Sequence, residues 1–349
     1  MSPAATATAG IIANPQSGKD IRRLVAHASV FSNDEKVAIV RRIVMGMLEA
    51  GVDRILYMPD PYRLIAQSID GLRIEGQPVH DRVQPLDGIY RGGVDDTTAA
   101  AALMTEAGVS VAVSLGGDGT NRAIVKGSRT LPLIPVSTGT NNVFPRMVEG
   151  TVVGLAAAAV ATGLAPLEAV SQRAKLIEIE IDGRPPDLAL IDAVVLDGAF
   201  IGSRAVWDID IVREAIMTRA APDSIGFSAI GGMLQTVTPA DDAGFHIRLA
   251  RDEVPPPQHQ IRAAIAPGLV RDITIASAER LDLGAIVRVD GPAMIALDGE
   301  REFHLHDGQS AALRVTRDGP PVVAIDHCLE IARDAGFLNT DPSGNSWLE

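Results

Sequence analysis

From Gly10 to Ser137 the chain alternates short apolar runs with longer stretches of helical periodicity, and that alternation leaves few folds open. A repeated strand–helix order points to a parallel sheet covered by helices on both faces. Gly10 to Ala13 reads as the first buried strand. A helix is expected from about Asn33 to Ala50: Ser32 and Glu35 have capping-box spacing, Val37, Val40, Val44, Met47 and Leu48 recur at helical period, and Gly51 sits at the C-terminal cap. Arg54 to Met58 is a second strand, closed by Pro59 and Pro61, and a third is expected near Gln84 to Tyr90. Asp95 and Asp96 then cap an alanine-rich helix to about Ala107, and Val109 to Leu115 and Leu131 to Ser137 form further strands.

Past an Ala-rich helix within Thr151 to Leu167 the pattern changes to short β-type runs, among them Lys175 to Ile181, Phe245 to Ala250, Ile273 to Ala276, Ile286 to Val289 and Ala311 to Val315. Asp-Gly pairs at 182, 290, 298, 307 and 318 punctuate them, as suits the left-handed residues of tight hairpins. The expected fold is therefore a Rossmann-like α/β parallel-sheet domain over residues 1–150 and a mostly antiparallel β-sandwich over 151–320. A helix around Ile209 to Arg219 is expected to interrupt the sandwich. Residues 321–349 supply a last helix, about Asp326 to Ala335, and a polar tail, expected to pack back on the first domain.

Charge and composition narrow the partners. A net charge of −13 repels phosphate backbones and anionic lipid, and 3% aromatic residues leave few stacking platforms, so neither nucleic acid nor membrane is an expected partner. The uncharged stretch Thr151 to Leu167 is shorter than a membrane span and contains Pro166. There is no basic segment followed by an apolar one at the N-terminus, and the single cysteine, Cys328, reads as a small buried apolar residue. A cytoplasmic protein is expected. Its partners are expected to be nucleotide and a small-molecule substrate, in a homo-oligomer whose order the sequence does not set.

The chemistry concentrates in three loops. Leu115-Gly116-Gly117-Asp118-Gly119-Thr120-Asn121 stands where a strand ends and a helix begins; its glycines let backbone amides approach a ligand, and the helix N-terminus suits phosphate. Asp118 at the carboxyl end of a parallel strand could deprotonate an attacking hydroxyl or help hold Mg²⁺. The next strand ends in Thr138-Gly139-Thr140-Asn141-Asn142, with the same small polar residues. Asn14-Pro15-Gln16-Ser17-Gly18-Lys19 closes the first strand but is not a Walker loop, since Ala13 and Asp20 replace its glycine and hydroxyl residue. Arg122 and Arg146, close to these loops, could neutralise transferred phosphate. His304 and His306 share a strand face without an evident third ligand, so no metal site is expected from protein ligands.

With these motifs in order and at family-like spacing, the chain resembles the superfamily of NAD kinases and diacylglycerol kinase catalytic domains. Segments such as Asp20-Ile21-Arg22-Arg23-Leu24-Val25 and Gly202-Ser203-Arg204-Ala205-Val206-Trp207-Asp208 make it most similar to the NAD-kinase-like acetoin catabolism protein X group. The resemblance implies an NAD kinase-like fold with its active site between the two domains, and ATP and Mg²⁺ as cofactors, with NAD as one acceptor. It further implies nucleotide contacts from Asn14, Ser17, Gly18, Gly116, Gly117, Gly119, Thr120, Asn121, Thr138, Gly139, Thr140, Asn141 and Asn142. Asp118 would stand beside the accepting hydroxyl, and Glu300 of Asp298-Gly299-Glu300 would match the general base of the lipid kinases. Arg204 and Asp208, flanking Trp207, could line the acceptor pocket. Where NAD kinases usually have Asn-Glu and lipid kinases Asn-Asp, this chain has Asn141-Asn142, and Ser224 to Gly232 is a degraded form of a third NAD-kinase motif. A kinase of NAD-kinase type is the leading expectation; a non-catalytic nucleotide-binding accessory protein and a lipid kinase are the alternatives.

Overall fold

The computed structural model describes residues 6–18, 31–88, 91–139, 141–197, 209–250, 259–299 and 301–339. Lys19, the 20–25 stretch, Tyr90, Thr140, the 198–208 segment with Arg204, Trp207 and Asp208, the Pro255 to Pro257 run, Glu300 and the tail from 340 on lie outside these residues.

The first unit runs β1 (Thr8–Ala13), α1 (Asn33–Glu49), β2 (Arg54–Tyr57), α2 (Leu64–Ile69), the small hairpin β3 (Arg73–Ile74) and β4 (Gln77–Pro78), β5 (Val83–Pro85), α3 (Val94–Glu106), β6 (Val111–Gly116), α4 (Asp118–Gly127), β7 (Leu133–Ser137), α5 (Gly150–Ala161), α6 (Leu167–Val170) and β8 (Ser171–Arg173). Alternation along β1 feeds two cores. Ala9, Ile11 and Ala13 meet α1 and α5 on one face, while Ile12 meets Ala100, Ala101 and Met104 of α3 on the other. The Ser32 hydroxyl accepts the Glu35 amide at 3.1 Å to start α1, and Gly51 takes φ +97° just beyond its end. Helices α1 and α5 touch backbone to backbone: a Cβ on Gly154 would lie 2.4 Å from the Ile43 carbonyl oxygen. Cys328 is fully buried in this core, and burial pushes its thiol up to about 11.

The second unit contains β9 (Leu176–Ile181), β10 (Asp187–Ala189), β11 (Asp192–Leu196), β12 (Val212–Met217), α7 (Phe227–Gly232), β13 (Ala243–Leu249), β14 (His259–Ala266), β15 (Leu269–Asp282), β16 (Ile286–Asp290), β17 (Ala293–Leu297), β18 (Arg301–Leu305) and β19 (Ser310–Thr316). Among the described residues these strands pair antiparallel in two sheets, ordered β10-β9-β19-β16 and β14-β15-β13-β12-β11-β17-β18. Ile177, Ile179, Val195, Ile216, Ile295 and Leu313 fill the layer between them. Between β17 and β18, Asp298 (φ 49°) and Gly299 (φ 68°) both take left-handed backbone, as an Asp-Gly hairpin demands.

The helix expected at Ile209 to Arg219 is not there. A 3₁₀ turn at Ile209–Ile211 leads into β12, which pairs with β11 and β13. Arg213, Glu214, Ala215 and Met217 are good helix formers, but two flanking strands and burial of Val212, Ala215, Ile216 and Met217 override a weak local preference.

The chain then returns to the first unit. β20 (Pro321–Val323) lies between β7 and β8 and completes the order β5-β2-β1-β6-β7-β20-β8, parallel from β5 through β20 and antiparallel only at β8. α8 (Ile325–Asp334) packs on α5 and α6. Among the described residues no helix is long and apolar enough to cross a membrane.

Candidate active site

Because β1, β6 and β7 are parallel neighbours, their carboxyl ends put the three glycine-containing loops side by side. Side chains then tie the loops together. Asn14 Nδ2 donates to Thr120 Oγ1 at 2.9 Å, the Ser17 and Thr138 hydroxyls are 2.8 Å apart, and Asn142 Nδ2 donates to Ser137 Oγ at 2.9 Å. Gly18 holds φ +71°, and Gly117 has no room for a side chain, since a Cβ would come 2.8 Å from Asn142 Oδ1.

Lys36, a residue the sequence analysis passed over, anchors the first loop. It is fully buried, and its ammonium donates to the carbonyls of Asn14 (3.1 Å), Pro15 (3.1 Å) and Ser17 (2.7 Å) and to Asn33 Oδ1 (3.4 Å). One signal could have found it: Lys36 lies four residues before Val40, on the apolar stripe of α1.

Asp118 begins α4, whose N-cap Gly117 brings no side-chain cap. Its Oδ1 accepts the amides of Phe144 (2.8 Å) and Val143 (3.2 Å), and Oδ2 accepts Val143 again (3.1 Å). Asp118 is half-buried, and loss of solvation there, reinforced by the nearby Asp298 carboxylate, pushes its pKa up to about 6 against the pull of the Phe144 and Val143 amides and Arg219. Asp118 opens on a cleft of about 60 Å³ between the two units, shared with Asn141, Asp192, Asp298 and Gly299 and walled by Ile225, Phe227 and Ile230.

Asp298, the neighbour of Glu300 in sequence, is held differently. It accepts the amides of Leu190, Ile191 and Asp192, and Arg122 Nη1 lies 3.9 Å away while donating to the Leu297 carbonyl at 2.9 Å. Arg122 is thus a buried strap between the units rather than a phosphate ligand. Lys126, one turn on, pairs with Asp187, and Arg129, just past the end of α4, with Glu178 at 2.8 Å, so α4 and the turn after it grip the second unit.

Other expected site residues also serve the scaffold. Asn121 is fully buried, its Oδ1 accepting from Ser114 at 2.6 Å and its Nδ2 donating to the Gly117 carbonyl at 2.9 Å. The space beside Gly116 is filled by Thr120. Asn142 spends its amide on Ser137 and Gly139, and Arg146 is exposed and faces a different cleft. Among the described residues no three His, Cys, Asp or Glu side chains form a metal cage. A magnesium ion carried by nucleotide phosphates needs only one or two protein oxygens, which the Asp118 and Asn141 side chains can offer at this cleft.

Residues 9–163 match the ATP-NAD kinase N-terminal domain, and residues 175–318 match the acetoin catabolism protein X C-terminal domain. Acetoin catabolism protein X of Cupriavidus necator is 38% identical over 312 residues, spanning 84% of this chain and 83% of that protein. A crystal structure of yeast NADH kinase complexed with NADH aligns over 99% of this chain and 95% of its own at 12% identity, with a TM-score of 0.49.

Proposed function

The chain belongs to the acetoin catabolism protein X family, and from that premise we propose that it is an ATP-dependent phosphotransferase acting on a hydroxyl of a small soluble metabolite, with NAD one acceptor. One observation carries this reading: an aspartate at the mouth of a strand-end cleft, fixed by two backbone amides, with its pKa raised to about 6. Such a carboxylate is ionised at neutral pH yet basic enough to take a proton.

In the proposed reaction Asp118 accepts the proton of the acceptor hydroxyl while that oxygen attacks the γ-phosphorus. The bond to the bridging oxygen breaks, and ADP leaves with the electron pair. The N-terminus of α4 and the amides of the Gly117–Thr120 turn would cradle the phosphates, as helix starts do. Mg²⁺ supplies neutralisation of phosphate charge when bound. Glu300, which follows Asp298 and Gly299 in sequence, is a second candidate base. A cytoplasmic homo-oligomer feeding NADP biosynthesis or acetoin catabolism completes this proposal.

A transfer screen from γ-labelled ATP to NAD and a panel of hydroxylated metabolites, with liposomes containing diacylglycerol as a further arm, tests it. Label should appear on a soluble acceptor and vanish with Asp118→Asn; label only in the liposomes would make the chain a lipid kinase. One observation favours a second reading, a nucleotide-binding accessory protein: an amide, Asn142, replaces the acidic residue of the kinases and is committed to Ser137 and Gly139. That reading expects nucleotide binding in calorimetry with no labelled acceptor.

A further inference from the structure

Across the Val143–Phe144 backbone from Asp118 lies a second cleft, of about 600 Å³, between β7, β8, β20, α8 and the start of the second unit. Its volume falls in the range of small-molecule sites. The floor is apolar, with Ile134, Phe144, Val152, Val323 and Leu329. Around it stand four cations, Arg146, Arg173, Lys175 and Arg219, against one carboxylate, Asp326, in a chain whose net charge is −13.

Arg219 gives the cleft its chemistry. Its Nη1 donates to the Val143 carbonyl at 3.2 Å and its guanidinium lies 5.5 Å over the Phe144 ring, but Nε is buried without a hydrogen-bond partner. A buried charged donor left unmet is costly. Lys175 spends two of its three donors on the Thr238 and Ala243 carbonyls, at 2.9 and 2.6 Å. Burial, then the positive charges of Arg317 and Arg219, push its pKa down to about 7. Four cations around a cleft lined by a single carboxylate favour a negatively charged occupant.

We infer that this cleft binds a small organic anion, a carboxylate or a phosphate monoester carrying an apolar body, with the head group at Arg219 and Lys175 and the body on the apolar floor. The inference stands whether or not the chain transfers phosphate. Arg219 and Asp118 are held by opposite sides of the same dipeptide, one by its carbonyl and the other by its amides.

Calorimetric titration of the full chain with hexanoate, hexyl phosphate, inorganic phosphate and hexan-1-ol tests it. At least one amphiphilic anion should bind at one site per chain, about tenfold or more tighter than inorganic phosphate or the alcohol, and the tighter head group identifies the class. Arg146→Gln combined with Arg173→Gln, both exposed, should weaken that binding about tenfold at unchanged Tm, and Val152→Trp, at the exposed start of α5, should abolish it by filling the cleft. Asp118→Asn should leave it within about twofold. No binding by either anion, hexanol binding as tightly, or wild-type affinity in Val152→Trp would each overturn the inference.

Discussion

On one side of the Val143–Phe144 backbone, the cleft at Asp118 holds about 60 Å³ and three carboxylates, Asp118, Asp192 and Asp298; on the other, the cleft at Arg219 holds about 600 Å³ and four cations. The two amides of the dipeptide hold the Asp118 carboxylate, while its Val143 carbonyl and the Phe144 ring hold the Arg219 guanidinium. Backbone polarity thus sorts charge: a peptide segment crossing between two cavities offers donors to one and acceptors to the other. Arg219 carries the matching shift, pushed down to about 10 by burial, with Asp118 pulling it back up and Arg146 adding to the fall.

The largest expected effect separates the clefts. Asp118→Asn should lower label transfer by about 10²–10⁴-fold and leave anion binding in the second cleft unchanged. In the parent chain the rate should fall tenfold per pH unit below about 6 and level off above it, because the base must be ionised; a profile flat through pH 6 would remove Asp118 from proton transfer. Stability should run the other way. A carboxyl whose folded pKa is raised binds its proton more tightly when folded, so its stabilising contribution is complete below the unfolded value and lost as pH rises through about 6. Above pH 7 the Asn variant should therefore melt no lower than the parent.

Phe144→Ala attacks the shared wall. Its side chain is buried, and its loss should cost about 3–5 kcal/mol in denaturant unfolding and weaken both binding events together. Weakening of one alone would show that the clefts are independent. Lys36→Met should cost about 1–3 kcal/mol, leaving three carbonyls without their donor, and should reduce nucleotide affinity without touching anion binding. The smallest change is Asn142→Asp, expected to cost about 1 kcal/mol in thermal melting because a carboxylate cannot donate to Ser137 and Gly139; stronger label transfer in that variant would favour a nucleotide-gripping role at 142.

Residue order announced the glycine loops because glycine, asparagine and hydroxyl residues at strand ends act locally, through turns and caps. Strand and helix positions in the first unit followed for the same reason: Ser32, Gly51 and the stripe of α1 are short-range signals. Residues whose roles depend on distant partners could not be read that way. Arg122 looks like a phosphate ligand beside a glycine loop until Leu297 and Asp298 come within reach, 175 and 176 positions later. Arg219 falls at the end of a segment that reads as helix; in the fold it follows strand β12 and lies over the Phe144 ring. Glu300 was drawn from the Asp-Gly-Glu pattern, of which the structure describes Asp298 and Gly299 at the cleft.

The strand β20 imposes an order of assembly. It sits between β7 and β8, and among the described residues β8 pairs only with β20, so the first sheet is incomplete until residues 321–323 have been synthesised. Until then the edge of β7 stands open, a template for pairing with other chains. A fragment ending before β20 should therefore aggregate rather than fold, and supplying residues 319–339 as a separate peptide should rescue it by filling the gap.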